Sequence, residues 1–203
     1  MPRPKTDIAA VRKKLLEAAE RHIKAHGPKK LTVSDIAAEC GMSQSNAYRF
    51  FHSKRDLLEA VGERWFAEIE RELADIAASR QPPAEQLVRF VARQYELKRA
   101  RYTEDPELFR AYFALGAANA SIVERHLNRI HAQLEAIMQR CGEKGLLGGR
   151  EPGEAANLVE AMTVRFRDPG QIMRFYEADT PGRVAEIAGL ILAGLAHLRR
   201  NAG

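Results

Sequence analysis

Along almost the whole chain, apolar residues recur three and four positions apart, and no stretch alternates apolar with polar as a half-buried strand does. That periodicity restricts the chain to an all-α fold, and caps, prolines and glycines punctuate it. Thr6 is expected to cap a first helix reaching about residue 25, with Ile8, Val11, Leu15, Ala18, Ala19 and Ile23 on one side. Gly27-Pro28 ends it, with Gly27 as a left-handed stop. Thr32 opens a short helix to about Cys40, stopped at Gly41, and a second short helix covers about Gln44 to Phe51. Ser53, with Asp56 three residues on, forms a capping box for a long fourth helix ending near Arg80. Its stripe is Leu57, Leu58, Val61, Trp65, Ile69, Leu73 and Ile76.

Further helices are predicted from Pro82-Pro83 to about Tyr102, and from the cap-plus-proline pair Asp105-Pro106 to about Ala117. Another starts at Asn119 or Ser121, carrying Val123, Leu127, Ile130, Leu134, Ile137, Met138 and Cys141. Gly145 to Gly153 reads as a loop, and about 154–166 as a helix. Asp168-Pro169-Gly170 reads as irregular, and about 181–199 as the last helix. The sum is about nine helices. An N-terminal three-helix unit, residues 1–53, is joined by the long fourth helix to a C-terminal bundle, residues 54–203.

Charge separates the same two parts. Of 32 basic and 27 acidic residues, positions 1–60 hold 12 and 7, so the entire net charge of +5 lies there and the remainder balances. Such asymmetry marks a nucleic-acid or membrane surface. No run is apolar enough to span a bilayer, and the N-terminus has no secretory pattern. Cys40 and Cys141 suit a reducing compartment as small buried side chains, with a redox pair as the alternative. The expected location is cytoplasmic, with no membrane partner.

Residues 32–52 carry the chemistry. Two short helices joined through Gly41 make a helix-turn-helix. Ile36 and Ala37 face inward, Met42 plugs the turn, and Ala47 and Phe51 seat the second helix. Ser43, Gln44, Ser45, Asn46, Tyr48, Arg49 and His52 are left outward. Gln and Asn pair bidentately with adenine and Arg with guanine in the major groove, whereas hydroxyls, Tyr48 and Lys54 suit phosphate oxygens.

From Leu31 to about Val61 the sequence resembles the DNA-binding domain of TetR-type bacterial regulators. The matching residues are Thr32-Val33, Ile36-Ala37, Gly41-Met42-Ser43, Tyr48-Arg49-Phe50-Phe51, and Ser53-Lys54 before Leu57-Leu58. The resemblance implies that Thr32, Tyr48 and Lys54 touch phosphate and that Gln44, Ser45 and Asn46 read bases. Ser45-Asn46 stands where the family commonly has Gly-Thr or Gly-Ala, so the operator sequence does not carry over. Phe50 replaces a frequent histidine or tyrosine and reads as packing.

The C-terminal part is expected to dimerise and to sense a ligand. In the last helix Val184, Ile187, Ala188, Ile191, Leu195 and Leu198 form one stripe, and Gly189, Leu192, Ala193 and Ala196 a second side. Apolar character on two sides points to a homodimer interface centred on Val184, Ile187, Ala188, Ile191, Leu192 and Leu195, or to a helix docked on its own core. Phe90, Tyr95, Tyr102, Phe109, Tyr112 and Phe113 cluster within 24 positions. Phe90, Tyr95, Phe109, Tyr112, Phe113, Asn119 and His131 are candidates for an effector pocket; ordinary core filling is the alternative. Arg93 could add polar selectivity.

No catalytic or dinucleotide motif appears, and neither a cofactor nor a metal is expected. His22 and His26 lie one turn apart without a third ligand. The sequence thus predicts a ligand-responsive repressor that binds a palindromic double-stranded DNA operator as a homodimer. A helix-turn-helix subunit without an effector is the alternative.

Overall fold

The computed structural model describes residues 7–197. Among these are eleven α-helices, one 3-10 turn and no strand. They are α1 (Ile8–His26), α2 (Val33–Glu39), α3 (Gln44–Tyr48), α4 (Lys54–Ala78), α5 (Pro83–Glu104), α6 (Pro106–Ala118) and α7 (Ala120–Glu143). There follow α8 (Pro152–Met162), α9 (Val164–Arg167), α10 (Pro169–Arg174) and α11 (Pro181–His197). Thr6 and Leu198 lie outside the described residues, and α1 is capped by Asp7, whose carboxylate accepts from the N–H groups of Ala9 and Ala10.

The caps set most boundaries as their chemistry requires. Asp105 accepts from the Leu108 N–H (2.9 Å) ahead of Pro106 at the first position of α6. Asp168 accepts from the Gln171 N–H (2.9 Å) ahead of Pro169 in the same way. The stretch expected to be irregular is therefore a helix, α10. The expected helix over 154–166 instead starts at Pro152 and breaks at Thr163, whose buried hydroxyl donates to the Val159 carbonyl (2.6 Å). Gly27 departs from the expected left-handed stop. Its φ of +79° and ψ of 162° lie in a region open essentially to glycine alone. A Cβ there would meet nothing within 4 Å, so the cost of one is backbone strain. Gly27→Ala is expected to destabilise by about 1–3 kcal/mol, read as a lowered Tm.

The chain divides into two compact units. The first comprises residues up to Phe66 together with Asp105–Val123; the second comprises Ala67–Glu104 and the residues from Glu124 on. α4 contributes to both. Leu57, Leu58 and Val61 belong to the core of the first, and Ile69 and Leu73 to that of the second.

The first unit buries Leu15, Ala18, Ala19 and Ile23 of α1 against Val33, Ile36 and Ala37 of α2, Ala47 of α3, and Phe51. Ile8, expected on that face, is 69% exposed. α6 closes the core with Tyr112 and Leu115. Tyr112 stacks on Trp65 (centroids 3.8 Å apart), and its hydroxyl donates to Glu20 (2.9 Å). Lys24 pairs with the α6 cap Asp105 (2.6 Å). In the second unit α5 lies centrally, packed on α11, with Leu87, Phe90, Val91 and Tyr95 buried beside Ile130, Leu134 and Ile137 of α7. Among the described residues, no helix is long and apolar enough to cross a membrane.

Candidate nucleic-acid interface

The helix-turn-helix is built from the inside. Ala37 and Ala47 are fully buried, small enough for α2 and α3 to pack closely. Gly41 makes the turn at φ +66°, and Met42 packs half-buried on the core. Phe51 is buried beneath Arg12, whose guanidinium lies 5.0 Å from the ring centre. Phe50 also packs against this core, in keeping with the packing role predicted for it.

Three of the expected contact residues also hold the motif together. Thr32 caps α2, accepting from the Asp35 N–H (3.1 Å) and donating to its carboxylate (2.6 Å). Ser43 caps α3, accepting from the Asn46 N–H (3.4 Å), with the Ser45 hydroxyl 3.3 Å away. Lys54 donates to the Lys29 carbonyl, fastening the start of α4 to the 3-10 turn Pro28–Lys30 before α2. Ser53 accepts from the Asp56 N–H (3.0 Å) as the predicted cap of α4, while the Asp56 carboxylate accepts from the N–H of His52 (2.9 Å), one residue before the cap, and not from Ser53 itself as a capping box would have it.

Gln44, Ser45, Tyr48, Arg49 and His52 are exposed, and Asn46 is half-exposed. The helix expected to reach Phe51 ends at Tyr48, so Arg49 is its C-cap and His52 lies beyond it.

Not all of the surplus positive charge faces outward unengaged. Lys14 donates to the Cys40 carbonyl (3.0 Å), Arg21 pairs with Glu39 (2.8 Å), and Arg55 with Glu59 (3.0 Å). Lys29, Lys30 and Arg49 are exposed and have no ion-pair partner among the described residues. Lys29 and Lys30 were not among the predicted contacts. Their signal was only the charge count, which cannot say which cations the fold engages.

A profile of bacterial regulatory proteins of the tetR family matches residues 15–61. That of the tetracyclin repressor-like C-terminal domain matches residues 83–188, which is 106 of 203 residues. The chain belongs to the TetR family. An uncharacterised helix-turn-helix transcriptional regulator of Mycobacterium tuberculosis is 33% identical over 144 residues, covering 70% of this chain and 60% of the relative. The chain thus spans about 60% of the length of that curated relative. Among solved structures, a transcriptional regulator of Pseudomonas aeruginosa aligns with a TM-score of 0.76 at 19% identity, covering 95% of this chain and 93% of that one. SmeT, the repressor of the Stenotrophomonas maltophilia multidrug efflux pump SmeDEF, aligns at 0.70 and 22% identity, covering 90% and 89%. SmeT is also solved with triclosan. At these identities the structural likeness concerns the fold.

In this TetR-family chain the candidate pocket residues divide between the units. Phe109, Tyr112, Phe113 and Asn119 belong to the first, and Phe90, Tyr95 and His131 to the second. Phe109 and Tyr112 pack on Trp65, Phe113 is 42% exposed, and the Asn119 amide donates to the Leu115 carbonyl at the end of α6. Phe90 is core, and Tyr95 stands edge-on to Phe166 and donates to the Asp179 carbonyl (2.9 Å). His131 lies 3.1 Å from Glu160, and Arg93 bridges Glu72 and Glu96. Phe90 and Tyr95 lie in the core cluster of the second unit, and Tyr112 in that of the first.

The last helix turns the residues expected at a dimer interface toward its own chain. Val184, Ala188, Ile191, Leu192 and Leu195 are buried in the chain's own core, and Ile187 packs against it. These six residues seat α11 on its own bundle. Its outward apolar residue is Leu190, 66% exposed; on α8, which packs on α11, Leu158 and Met162 are exposed one turn apart.

The second unit also contains a polar interior that the periodicity concealed. Gln86, Gln94, Lys98, His126, Thr163 and Asp179 are all buried. Gln86 is satisfied by Ser79 and Arg140, and Asp179 by Arg165. His126 shares Glu70 with Arg129, and burial beside cations depresses its pKa to about 2, so its ring stays neutral. Burial raises both thiols, Cys141 to about 11, which keeps them protonated and unreactive. Among the described residues no group of three or more His, Cys, Asp or Glu could hold a metal.

Proposed function

We propose that this chain is a homodimeric repressor that binds a palindromic operator and is released by a small-molecule effector. The observation that carries the reading is the outward face of the helix-turn-helix. Gln44, Ser45, Tyr48 and Arg49 stand exposed on a core-anchored frame, and Lys29, Lys30 and Arg49 are exposed cations without an ion-pair partner among the described residues. Gln44 and Asn46 would read base edges. Tyr48 and Lys54, with Thr32, Ser43 and Ser45, would hold phosphates, His52 would contact the backbone beyond α3, and Arg49 would read guanine or phosphate. Thr32, Ser43 and Lys54 would therefore serve both the fold and the DNA. Residues 1–53 would form the DNA-binding domain and residues 54–203 the ligand-binding and dimerisation domain.

A single short reading helix covers few base pairs, so a second copy would supply the matching half-site. The exposed Leu158 and Met162 of α8 and Leu190 of α11 suit that contact. Effector release draws support from family membership and from SmeT, a repressor that binds triclosan.

Selection of bound fragments from random DNA tests the reading and is expected to return an inverted repeat. On that operator, Gln44→Ala should relax preference at one or two base pairs, at about 1–3 kcal/mol per lost bidentate contact. Lys30→Ala should weaken all sequences alike and reduce the salt slope by about one counterion. If the two variants respond alike in salt titrations, the division into base and phosphate contacts fails.

A further inference from the structure

Lys98 is a buried amine with no anionic partner among the described residues. It is 6% exposed, and its hydrogen bond is donated to the Arg167 carbonyl oxygen (2.7 Å). Among the described residues it has no ion-pair partner. The carboxylates of this unit that could have served are engaged elsewhere. Glu70 is held by His126 and Arg129, Glu68 by Arg101, and Glu160 by Arg167 and His131. Asp168, whose charge Lys98 feels, caps α10.

Burial and the neighbouring Arg167 and Arg101 press the Lys98 amine down to about 7, against the pull of Asp168. An unpaired ammonium in such surroundings is costly, and two events relieve the cost: loss of its proton, or arrival of an anion. Gln94 adds a second, independent mark. It lies one turn earlier on the same face of α5, is 1% exposed, and its amide Nε2 has no hydrogen-bond partner among the described residues. Buried amides without acceptors are rare in folded chains and call for a partner.

We propose that Lys98 and Gln94 are the recognition point for the carboxylate of an effector, which makes that effector a monoanionic organic acid. This rests on the reading that the second unit takes a small-molecule effector. One uncompensated charge matches one negative charge; a dianion would leave an excess buried. The ammonium and the amide N–H together supply donors to both oxygens of a carboxylate and offer a neutral or cationic compound much less. Val91 and Tyr95, buried on the same helix, add apolar surface to these polar groups, so the acid would carry a hydrocarbon or aromatic body.

The test uses the full chain, with benzoate, phenylacetate, hexanoate and decanoate each paired with its own primary amide, measured by calorimetry. At least one acid is expected to bind about tenfold or more tightly than its amide, the scale of hydrogen bonds to a charged group. Lys98→Met is expected to erase that difference, and Gln94→Leu to narrow it several-fold with the fold intact by circular dichroism. If no acid binds, if acids and amides bind alike, or if the preference survives in Lys98→Met, the proposal fails. Should Lys98→Met not fold, Gln94→Leu decides: an unchanged acid-to-amide ratio overturns the proposal. Operator release is scored separately. An acid that binds through Lys98 without releasing DNA refutes the release reading alone. Release by a neutral compound, unaltered in Lys98→Met, refutes the carboxylate site alone.

Discussion

Phe51→Ala is expected to destabilise the first unit by about 3–5 kcal/mol, enough to abolish DNA binding by a marginally stable domain. The ring is 1% exposed and sits where the helix-turn-helix meets α4, with Arg12 over its face. Removing it leaves a cavity beneath both short helices, neither long enough to hold its own shape in water. Phe50→Ala, at a half-buried ring, should cost about 1 kcal/mol and leave operator binding in place. Trp65, the one tryptophan, stacks on Tyr112 inside the same unit, so its fluorescence in urea reports that unit's unfolding directly. An unchanged midpoint for Phe51→Ala, or equal losses at both positions, would show that the reading helices are seated some other way.

The legible parts of this fold were those fixed by local chemistry. Asp105-Pro106, Ser53 with Asp56, and Thr32 each announced a helix start, because one side chain within three residues satisfies the otherwise free N–H groups. Asp168-Pro169 gives the same signal. It read as irregular because Gly170 follows, and because six residues are too few for an apolar period to emerge. The inward and outward faces of the helix-turn-helix were legible because Ala37, Ala47 and Phe51 leave only one way to pack.

What stayed hidden depended on long-range partners. Which of two apolar sides of α11 meets α5 cannot be known from α11 alone; once Val184 and Ala188 pack inward, Leu190 must point out. Gln94 and Lys98 look like the polar face of an amphipathic helix until a bundle surrounds them. The aromatic run from Phe90 to Phe113 looked like one cluster, although Tyr95 packs on Phe166 and Tyr112 on Trp65 in separate units. Closeness in sequence stood in for closeness in space.

Leu190→Glu is expected to convert the protein to a monomer and to weaken operator binding by on the order of a hundredfold, because the second half-site loses its tethered reader. In a two-fold interface each substitution occurs twice on one self-complementary patch, so two carboxylates would enter an apolar contact. The monomer's own fold should survive, since Leu190 is 66% exposed and buries little within its chain. Leu192, two residues on, separates this outcome from simple unfolding. It is 9% exposed in the core of the second unit, and Leu192→Glu should cost several kcal/mol through a buried, unpaired charge. Light scattering distinguishes the two: a folded half-mass species for Leu190→Glu, against loss of the folded chain for Leu192→Glu. Undiminished mass for a double variant, Leu190→Glu with Met162→Glu, would remove the exposed sides of α8 and α11 from the dimer contact and return the search to other faces.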